Sequence, residues 1–292
     1  MSAPMLIPTT ESLPSTDLMQ KPAGLHHPLP EDTYLNPTDG LIYCKKCNTP
    51  REGEYDLMGY TRKHGLLCRC QREQRNRDDE TRRLRDHKEL VERLSLTGFQ
   101  DKYLRGCTFE NGKELGNPKM DVALSYVKHW EELIHSDTNG LLIWGSVGNG
   151  KTFLAACIAN ALIEREVPVR MVSCPYMLNE IRGKYPGDRN IYISGLDAFS
   201  LLILDDLGSE NGSEANLELL YQIIDSRYRS KKPLILTTNL TLDELKEPTD
   251  LIHRRTYSRI LEMCVSTFVD GPNIREQSLP AKMKRVKDLL RS

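Results

Sequence analysis

Short apolar runs alternate with helix-like stretches along the C-terminal part of the chain. The apolar runs at 141–144, 168–172, 200–204 and 233–238 predict strands. Helices are predicted before and between them at 119–134, 151–165, 176–184 and 214–229. Because the strands are apolar throughout and separated by helices, they predict an α/β fold whose parallel sheet is covered on both faces.

The N-terminal part of the chain follows a different pattern. Seven prolines in residues 1–38 predict a disordered tail. Residues 71–96 are densely charged, contain no glycine or proline, and predict a solvated helix. Its arginines could contact phosphates, but a salt-bridged linker helix is the favoured interpretation. We therefore divide the chain into a tail (1–38), a cysteine-containing module (39–70), a linker helix (71–96), a large α/β domain (97–278) and a basic C-terminal tail (279–292).

Composition narrows the class of protein. The chain has 292 residues and a formal net charge of -1, so overall charge does not favour nucleic acid as a partner. No apolar run approaches the roughly 18 residues that a membrane helix needs, so no membrane association is expected. Residues 1–17 lack a basic region and a continuous apolar core, which argues against a secretory signal. We expect a cytoplasmic, reducing location, where cysteines serve as thiols or metal ligands.

Four of the eight cysteines lie in the module at 39–70, namely Cys44, Cys47, Cys68 and Cys70. They form a C-x2-C pair and a C-x-C pair separated by twenty residues. Two close pairs joined by a loop suit a tetrahedral Zn²⁺ ion, and four thiolates leave no open position for catalysis. We predict a structural zinc site that supplies folding energy to a small module, the alternative being unrelated thiols.

Residues 145–152 read GSVGNGKT, which fits the phosphate-binding pattern G-x-x-x-x-G-K-[ST]. A predicted strand precedes this loop and a predicted helix follows it, as the motif requires. Backbone N–H groups and the helix N-terminus can hold phosphates, while Lys151 reaches the β- and γ-phosphates and Thr152 binds Mg²⁺. The predicted nucleotide contacts are Gly145, Ser146, Val147, Gly148, Asn149, Gly150, Lys151, Thr152 and Phe153.

Polar residues end the two later strands. Asp205 and Asp206 follow a buried strand, where Asp205 is predicted to bind Mg²⁺ and Asp206 to activate a water molecule. Glu210 is a weaker candidate for the second role. Asn239 ends the next strand and is predicted to position the attacking water. A helix cap or turn is the alternative for the aspartates, and a turn for Asn239.

The motifs GSVGNGKT, LLILDDLG and LILTTNL, preceded by CTFEN, occur in an order and spacing that resembles AAA+ ATPases of the DnaC/DnaI-type helicase-loader group. IstB-like insertion-sequence ATPases share this core. The resemblance covers about 97–278 and implies an AAA+ P-loop fold, ATP and Mg²⁺ as ligands, and slow, assembly-dependent hydrolysis. The cysteine-rich segment looks like the zinc-binding, helicase-contacting domain of DnaI-type and phage loaders.

The same resemblance implies roles for several arginines. Arg259 matches an arginine finger that reaches the ATP of a neighbouring subunit, and Arg254 and Arg255 could share that role. Arg275 lies about where a sensor-2 arginine would. Arg227 matches a recurrent arginine of the clade, either at a subunit interface or paired with Asp225 or another nearby acid.

For DNA, the resemblance points to 176–189. Its candidate contacts are Tyr176, Arg182, Lys184, Tyr185 and Arg189, and an ordinary crossover helix is the alternative. The basic residues Lys282, Lys284, Arg285, Lys287 and Arg291 are interpreted as a solvated tail.

These predictions combine into one hypothesis. The chain would be an ATP-dependent loader of a hexameric replicative DNA helicase that binds single-stranded DNA and self-associates through the ATP site. A transposition helper ATPase of the IstB-like kind is one alternative. A nucleotide-gated adaptor with little hydrolysis is another, because Asp206 is shorter than the glutamate that would reach further in that place.

Overall fold

The computed structural model describes residues 29–114, 119–209 and 213–271, together with positions 273, 283, 286, 287 and 290. The chain divides into two compact units, Met1–Thr81 and Arg82–Ser292. The predictions for residues 1–28, Glu210 and Arg275, and for most of the basic C-terminal run (Lys282, Lys284, Arg285 and Arg291), lie outside the described residues.

The first unit contains two antiparallel hairpins and the start of a long helix. The hairpins are β1 (Thr33–Leu35) with β2 (Ile42–Cys44), and β3 (Glu52–Leu57) with β4 (Tyr60–Gly65). β1 lies in the region predicted as tail, where Thr33 pairs with Cys44. The tight turn at Met58 and Gly59 takes positive φ at both positions, as a two-residue hairpin loop requires. Helix α1 (Arg69–Gly98) follows and ends in the second unit.

The second unit is built on a five-stranded parallel sheet. Its helices and strands are α2 (Phe109–Glu114), α3 (Met120–Lys128), α4 (Trp130–Leu133), β5 (Gly140–Trp144), α5 (Lys151–Glu164), β6 (Val169–Ser173), α6 (Cys174–Arg182), α7 (Pro186–Gly195), β7 (Leu201–Leu207), α8 (Glu214–Ser230), β8 (Leu234–Thr238), α9 (Leu242–Lys246), α10 (Leu251–Met263) and β9 (Cys264–Phe268). The strand order is β6-β7-β8-β5-β9, and every pairing is parallel. The predicted parallel sheet is confirmed.

Successive residues of the central strands pack into two different cores. Leu201 and Ile203 of β7 join the core formed with α3 and α5, whereas Leu202 and Leu204 join the core formed with α6, α8 and α10. Each strand is therefore buried on both faces, which is why its sequence is an unbroken apolar run rather than an alternating one.

Three features differ from the sequence pattern. The predicted helix at 119–134 is two helices, because His129 leaves helical geometry with φ −99 and ψ 21. A further helix, α7, follows α6 in the crossover to β7. Strand β9 was not predicted, since it is an edge strand whose outer positions are exposed and its sequence CVSTF lacks an apolar run. None of the helices in the described part of the chain combines the length and apolar character that crossing a membrane requires.

Candidate functional site

The loop between β5 and α5 takes a shape that its glycines make possible. Gly145, Gly148 and Gly150 have φ values of 146°, 85° and 84°, which L side chains rarely adopt. A side chain at Gly145 would collide with the Val269 carbonyl, and one at Gly148 with the Asn273 side chain. Gly150 is the N-cap of α5, so the loop leads its backbone N–H groups directly into a helix N-terminus, where anions bind.

The position of this loop in the sheet suits ligand binding. β5 pairs with β8 and β9, while the next strand of the sequence, β6, lies at the opposite edge. A crevice opens at such a switch in strand order, at the carboxyl ends of the strands. Among the predicted contacts, Ser146 and Val147 are exposed, Thr152 and Phe153 are half-buried, and Asn149 is buried with its Nδ2 3.3 Å from the Val269 carbonyl oxygen.

Lys151 is buried at the first turn of α5, with 6% of its surface exposed. Its Nζ donates to the carbonyl oxygens of Gly145 at 3.0 Å and Ser146 at 2.8 Å, and to Asn239 Oδ1 at 2.8 Å. The structure therefore brings Lys151 and Asn239 together, from the phosphate loop and from the end of β8. All three acceptors are neutral, so an anionic ligand could replace them.

The two aspartates at the end of β7 lie beside the same loop. Thr237 Oγ1 donates to Asp205 Oδ1 at 2.5 Å and accepts from the Asp206 N–H at 3.0 Å. Burial raises the pKa of Asp205, while hydrogen bonds from Thr237 and Thr152 oppose that shift. The predicted magnesium ligands Thr152 and Asp205 are thus neighbours. The register shift between Leu204 and Leu207 and the positive φ of Asp206 let that residue turn toward the crevice.

A cavity of about 390 Å³ lies at the phosphate loop and the ends of β7 and β8, and Asp206 but not Asp205 lines it. It is lined by Asp101, Tyr103, Leu104, Cys107, Val147, Gly148, Gly150, Lys151, Thr152, Phe153, Asp206, Ser209 and Asn239. The first four of these come from the segment before α2, where the sequence pattern predicted neither a helix nor a strand. This segment is a 3-10 helix, Lys102–Gly106, capped by Asp101, and the Asn160 side chain of α5 holds the carbonyls of Leu104 and Cys107 at 2.8 Å.

Arg259 lies away from this cavity, on α10. Its Nη2 is 2.8 Å from Asp225 Oδ1, and its guanidinium carbon lies 4.7 Å and 5.5 Å from the ring centroids of Tyr221 and Tyr228. Arg254 and Arg255 are exposed on the same helix. Within one chain, the predicted finger is therefore paired with a carboxylate of α8.

Of the two interpretations given for Arg227, pairing with a nearby acid agrees with its position in the structure. It is buried in α8, and both terminal nitrogens donate to the Phe199 carbonyl oxygen at 3.0 Å. The nearby acid is Asp197, at 3.9 Å, and not Asp225. Burial lowers the pKa of Arg227 to about 10.

The segment 176–189 combines a core helix with an exposed end. α6 buries Met177, Leu178 and Ile181, as a crossover helix should. Arg189 donates to the carbonyl oxygens of Lys184 and Arg182 at 3.1 Å, so it holds the turn between α6 and α7. Tyr176 and Tyr185 are exposed, Tyr185 to 81%.

In the first unit, the four predicted zinc ligands form one cluster. Their sulfur atoms all lie within 4.8 Å of one another, with Cys44–Cys70 at 3.6 Å and Cys68–Cys70 at 3.3 Å. Zn–S bonds of about 2.3 Å in a tetrahedron place sulfurs about 3.8 Å apart. Helix α1 begins directly after Cys68, so Cys70 lies in its first turn. This geometry lets the C-x-C pair bring both sulfur atoms to the cluster.

The pKa values of these thiols reflect how close together the sulfur atoms lie. The Thr49 hydroxyl lowers the pKa of Cys47 to about 5, whereas Cys68 and the other two sulfurs raise the pKa of Cys70 to about 12. Four thiolates at these distances repel one another unless a positive ion lies between them. The donor set is therefore suited to Zn²⁺.

The comparisons with known proteins agree with this geometry. The family of IstB-like ATP-binding proteins matches residues 70–269. The replicative helicase loader DnaC of Buchnera aphidicola is 25% identical over 193 residues, which cover 65% of this chain and 74% of that protein. An ATP-binding protein of a Mycobacterium tuberculosis insertion sequence is 28% identical over 211 residues, covering 70% and 81%. The crystal structure of DnaI aligns with a TM-score of 0.50 at 23% identity, covering 62% of this chain and 99% of that one, which shows the shared fold.

Proposed function

The chain belongs to the IstB-like ATP-binding proteins and has the AAA+ P-loop fold, and from this premise we propose that it loads a hexameric replicative DNA helicase onto single-stranded DNA. The observation that supports the proposal is that one chain combines a crevice lined by a phosphate-binding loop with a four-cysteine module. Relatives named replicative helicase loader support the choice of activity.

The crevice suits ATP hydrolysis. The loop N–H groups and Lys151 would hold the phosphates, with Lys151 exchanging its carbonyl and Asn239 partners for phosphate oxygens. Thr152 and Asp205 would hold Mg²⁺, which neutralises charge on the phosphates when bound. Asp206 would orient a water molecule for attack on the γ-phosphorus, and Asn239 would position it. A bond from that oxygen forms while the bond to the β–γ bridging oxygen breaks, giving ADP and phosphate.

Hydrolysis in one chain alone would be slow. Asp206 is shorter than a glutamate, and the cation expected from the resemblance, Arg259, is held elsewhere in the same chain. We propose that Arg259 of a second copy completes the site and stabilises the charge that develops on the γ-phosphate. Self-association through the ATP site then controls turnover.

We also propose which parts of the chain contact the helicase and the single-stranded DNA. The zinc-stabilised module would hold the helicase. The exposed Tyr176 and Tyr185 would stack on bases of single-stranded DNA, because aromatic rings accept any base. Arg182 and Lys184 would add positive charge beside them.

Native mass spectrometry of the full chain mixed with a hexameric replicative helicase and ATP tests the proposal. We expect a zinc-containing complex of defined stoichiometry that is lost when Cys44 and Cys47 are both replaced by Ser. An intact, folded chain that forms no complex in any nucleotide state would rule out the loader function for that helicase.

Two other functions remain as candidates. The insertion-sequence relative favours a transposition helper, which would instead form an ATP-dependent complex with a transposase. Asp206 favours a nucleotide-gated adaptor. An adaptor would lose function on Lys151→Ala but keep it on Arg259→Ala, whereas a loader that depends on hydrolysis would lose function in both variants.

A further inference from the structure

One face of α8 forms a receptor for the guanidinium of Arg259. Tyr221, Asp225 and Tyr228 occupy positions i, i+4 and i+7 of the helix and therefore share a face. The two rings and the carboxylate surround the Arg259 side chain, which is 26% exposed. The Tyr228 hydroxyl also donates to Glu262 Oε1 at 2.8 Å, one turn beyond Arg259 on α10. Arg259 thus rests in a formed site, not on an open surface.

The charge of Arg259 is neutralised in this resting place. Its Nη2 lies 2.8 Å from Asp225 Oδ1, and its Nη1 is buried without a hydrogen-bond partner in the described part of the chain. An arginine stabilises a γ-phosphate in its transition state through its positive charge. A neutral Arg–Asp pair cannot supply that charge, so the pair must open before Arg259 can act on a neighbour.

A second arginine, Arg229, lies close to Asp225. Arg229 Nη1 lies 3.7 Å from Asp225 Oδ2, one turn along α8, and the Arg229 side chain is 78% exposed. When Arg259 leaves, Arg229 can take its place, so that the carboxylate keeps a cation. Because Arg229 leaves the carboxylate paired, the exchange costs less than leaving a partly buried charge without a partner.

We propose that Asp225 is a positioning residue of the ATPase, which holds Arg259 against α8 in the single chain and releases it to the ATP of a neighbouring copy on assembly. Arg229 replaces Arg259 beside Asp225 in the assembled state. The inference rests on the role in trans proposed above for Arg259. By linkage, weakening the resting pair makes assembly easier, whereas weakening the replacement pair makes it harder.

The test is the ATP turnover of the full chain as a function of protein concentration, with single-stranded DNA present. Asp225→Asn keeps the shape of the side chain and removes its charge. We expect the protein concentration for half-maximal turnover to fall about three- to tenfold, since an ion pair and ring contacts of this exposure are lost from the resting state. The KM for ATP should not change. The control Glu218→Gln removes a carboxylate that contacts Gln222 on the same helix and should leave the curve unchanged.

Arg229→Ala gives the opposite prediction. Its side chain is mostly exposed, so folding should be unaffected, and the concentration for half-maximal turnover should rise. A merely structural role of Asp225 would shift the melting temperature but would not give these opposite shifts. Unchanged curves for both variants, or a higher concentration for Asp225→Asn, would overturn the inference.

Arg259→Ala separates this inference from the proposed function. If that variant keeps concentration-dependent turnover, Arg259 does not act in trans and both proposals fail. If it loses turnover while the Asp225→Asn and Arg229→Ala curves match the wild type, only the role of Asp225 fails.

Discussion

Burial disfavours the charged form of Asp205, yet that charged form is the one that would bind Mg²⁺. Its carboxylate is buried beside the crevice, which raises its pKa, and hydrogen bonds from Thr237 and Thr152 offset only part of the effect. In the folded chain without ligand, the charged form is therefore disfavoured. A bound Mg²⁺ would reverse this, because a cation favours the carboxylate. We expect such a residue to lower stability and to be needed for activity.

Asp205→Asn should accordingly make the ligand-free chain more stable at pH 7, by a few degrees in the melting temperature of the second unit. Since the folded pKa is raised, the penalty in the wild type is present above that pKa and is lost as the pH falls through it toward the unfolded value. The difference between the variants should therefore shrink at acid pH, as measured by thermal unfolding. ATP turnover should fall about 100-fold or more. A less stable variant at neutral pH would contradict this account.

Thr237→Val tests the hydroxyl that joins the two aspartates. The change keeps the shape but removes one donor to Asp205 and one acceptor for the Asp206 N–H, so stability should fall by about 1–3 kcal/mol. Mg²⁺-dependent ATP binding should weaken as well, as measured by calorimetry. Thr238→Val is the matched control, since the Thr238 hydroxyl bonds Leu207 and Leu240 instead. Equal loss of Mg²⁺ dependence in both variants would show a general packing effect.

Residues of this site that belong to sequence motifs could be predicted, whereas residues that act through contacts distant in sequence could not. Lys151 and Asn239 could be placed because a loop pattern and strand ends put them at one edge of a parallel sheet. Thr237 also lay in a quoted motif, yet its bond to Asp205 depends on the pairing of β7 with β8. Asp225 and Tyr103 carry no local signal, because their neighbours are distant in sequence.

At the scale of elements, His87 of α1 makes polar contacts with the end of α5. His87 Nδ1 lies 2.8 Å from Glu166 Oε1, and its Nε2 lies 3.5 Å from Glu164 Oε1. The hydrogen bond from Glu166 raises the pKa of His87, with Glu164 adding to the shift. The contact is therefore strongest when the histidine is protonated.

This ion pair predicts a pH dependence. Because the folded pKa of His87 is raised, its contribution to stability is fully present below the unfolded pKa of about 6.5 and is lost as the pH rises through the folded value. Hydrogen exchange of the α1 amides should accelerate over that range in the wild type. His87→Gln should flatten the profile. The control His135→Gln, at an exposed position just after α4, should not. An unchanged profile for His87→Gln would show that the contact does not hold α1.

Strands that are buried on both faces could be predicted from the sequence. Strands β5, β7 and β8 were predicted to within about three residues, since each is apolar on both faces. Strand β9 was missed because only Cys264 is buried in it. The break between α3 and α4 was missed because His129 carries no proline or glycine signal.

At the scale of the whole molecule, the chain divides into two compact units, and we expect them to have separate roles. The first unit consists of short hairpins and the start of α1 around the cysteine cluster, and the second holds the sheet and the crevice. We expect a unit with so little apolar core to depend on a bound metal for its folding energy. Loss of the metal should therefore affect the first unit alone.

Chelation tests this division. A strong zinc chelator should abolish the protection of residues 33–70 against hydrogen exchange and leave that of the sheet strands intact. ATP affinity should stay within about twofold of the untreated value, because the crevice is built entirely from the second unit. Cys70→Ser should reproduce the effect without chelator. Retained protection of both hairpins after metal removal would contradict a structural zinc site.

Helicase loading itself tests the central claim most directly. The measurement is the amount of hexameric replicative helicase that becomes bound to circular single-stranded DNA, with ATP and with or without the full chain. We predict a several-fold increase that depends on the chain and is lost in Lys151→Ala and in the Cys44→Ser, Cys47→Ser double variant. Equal helicase binding with and without the folded, ATP-binding chain would contradict the account.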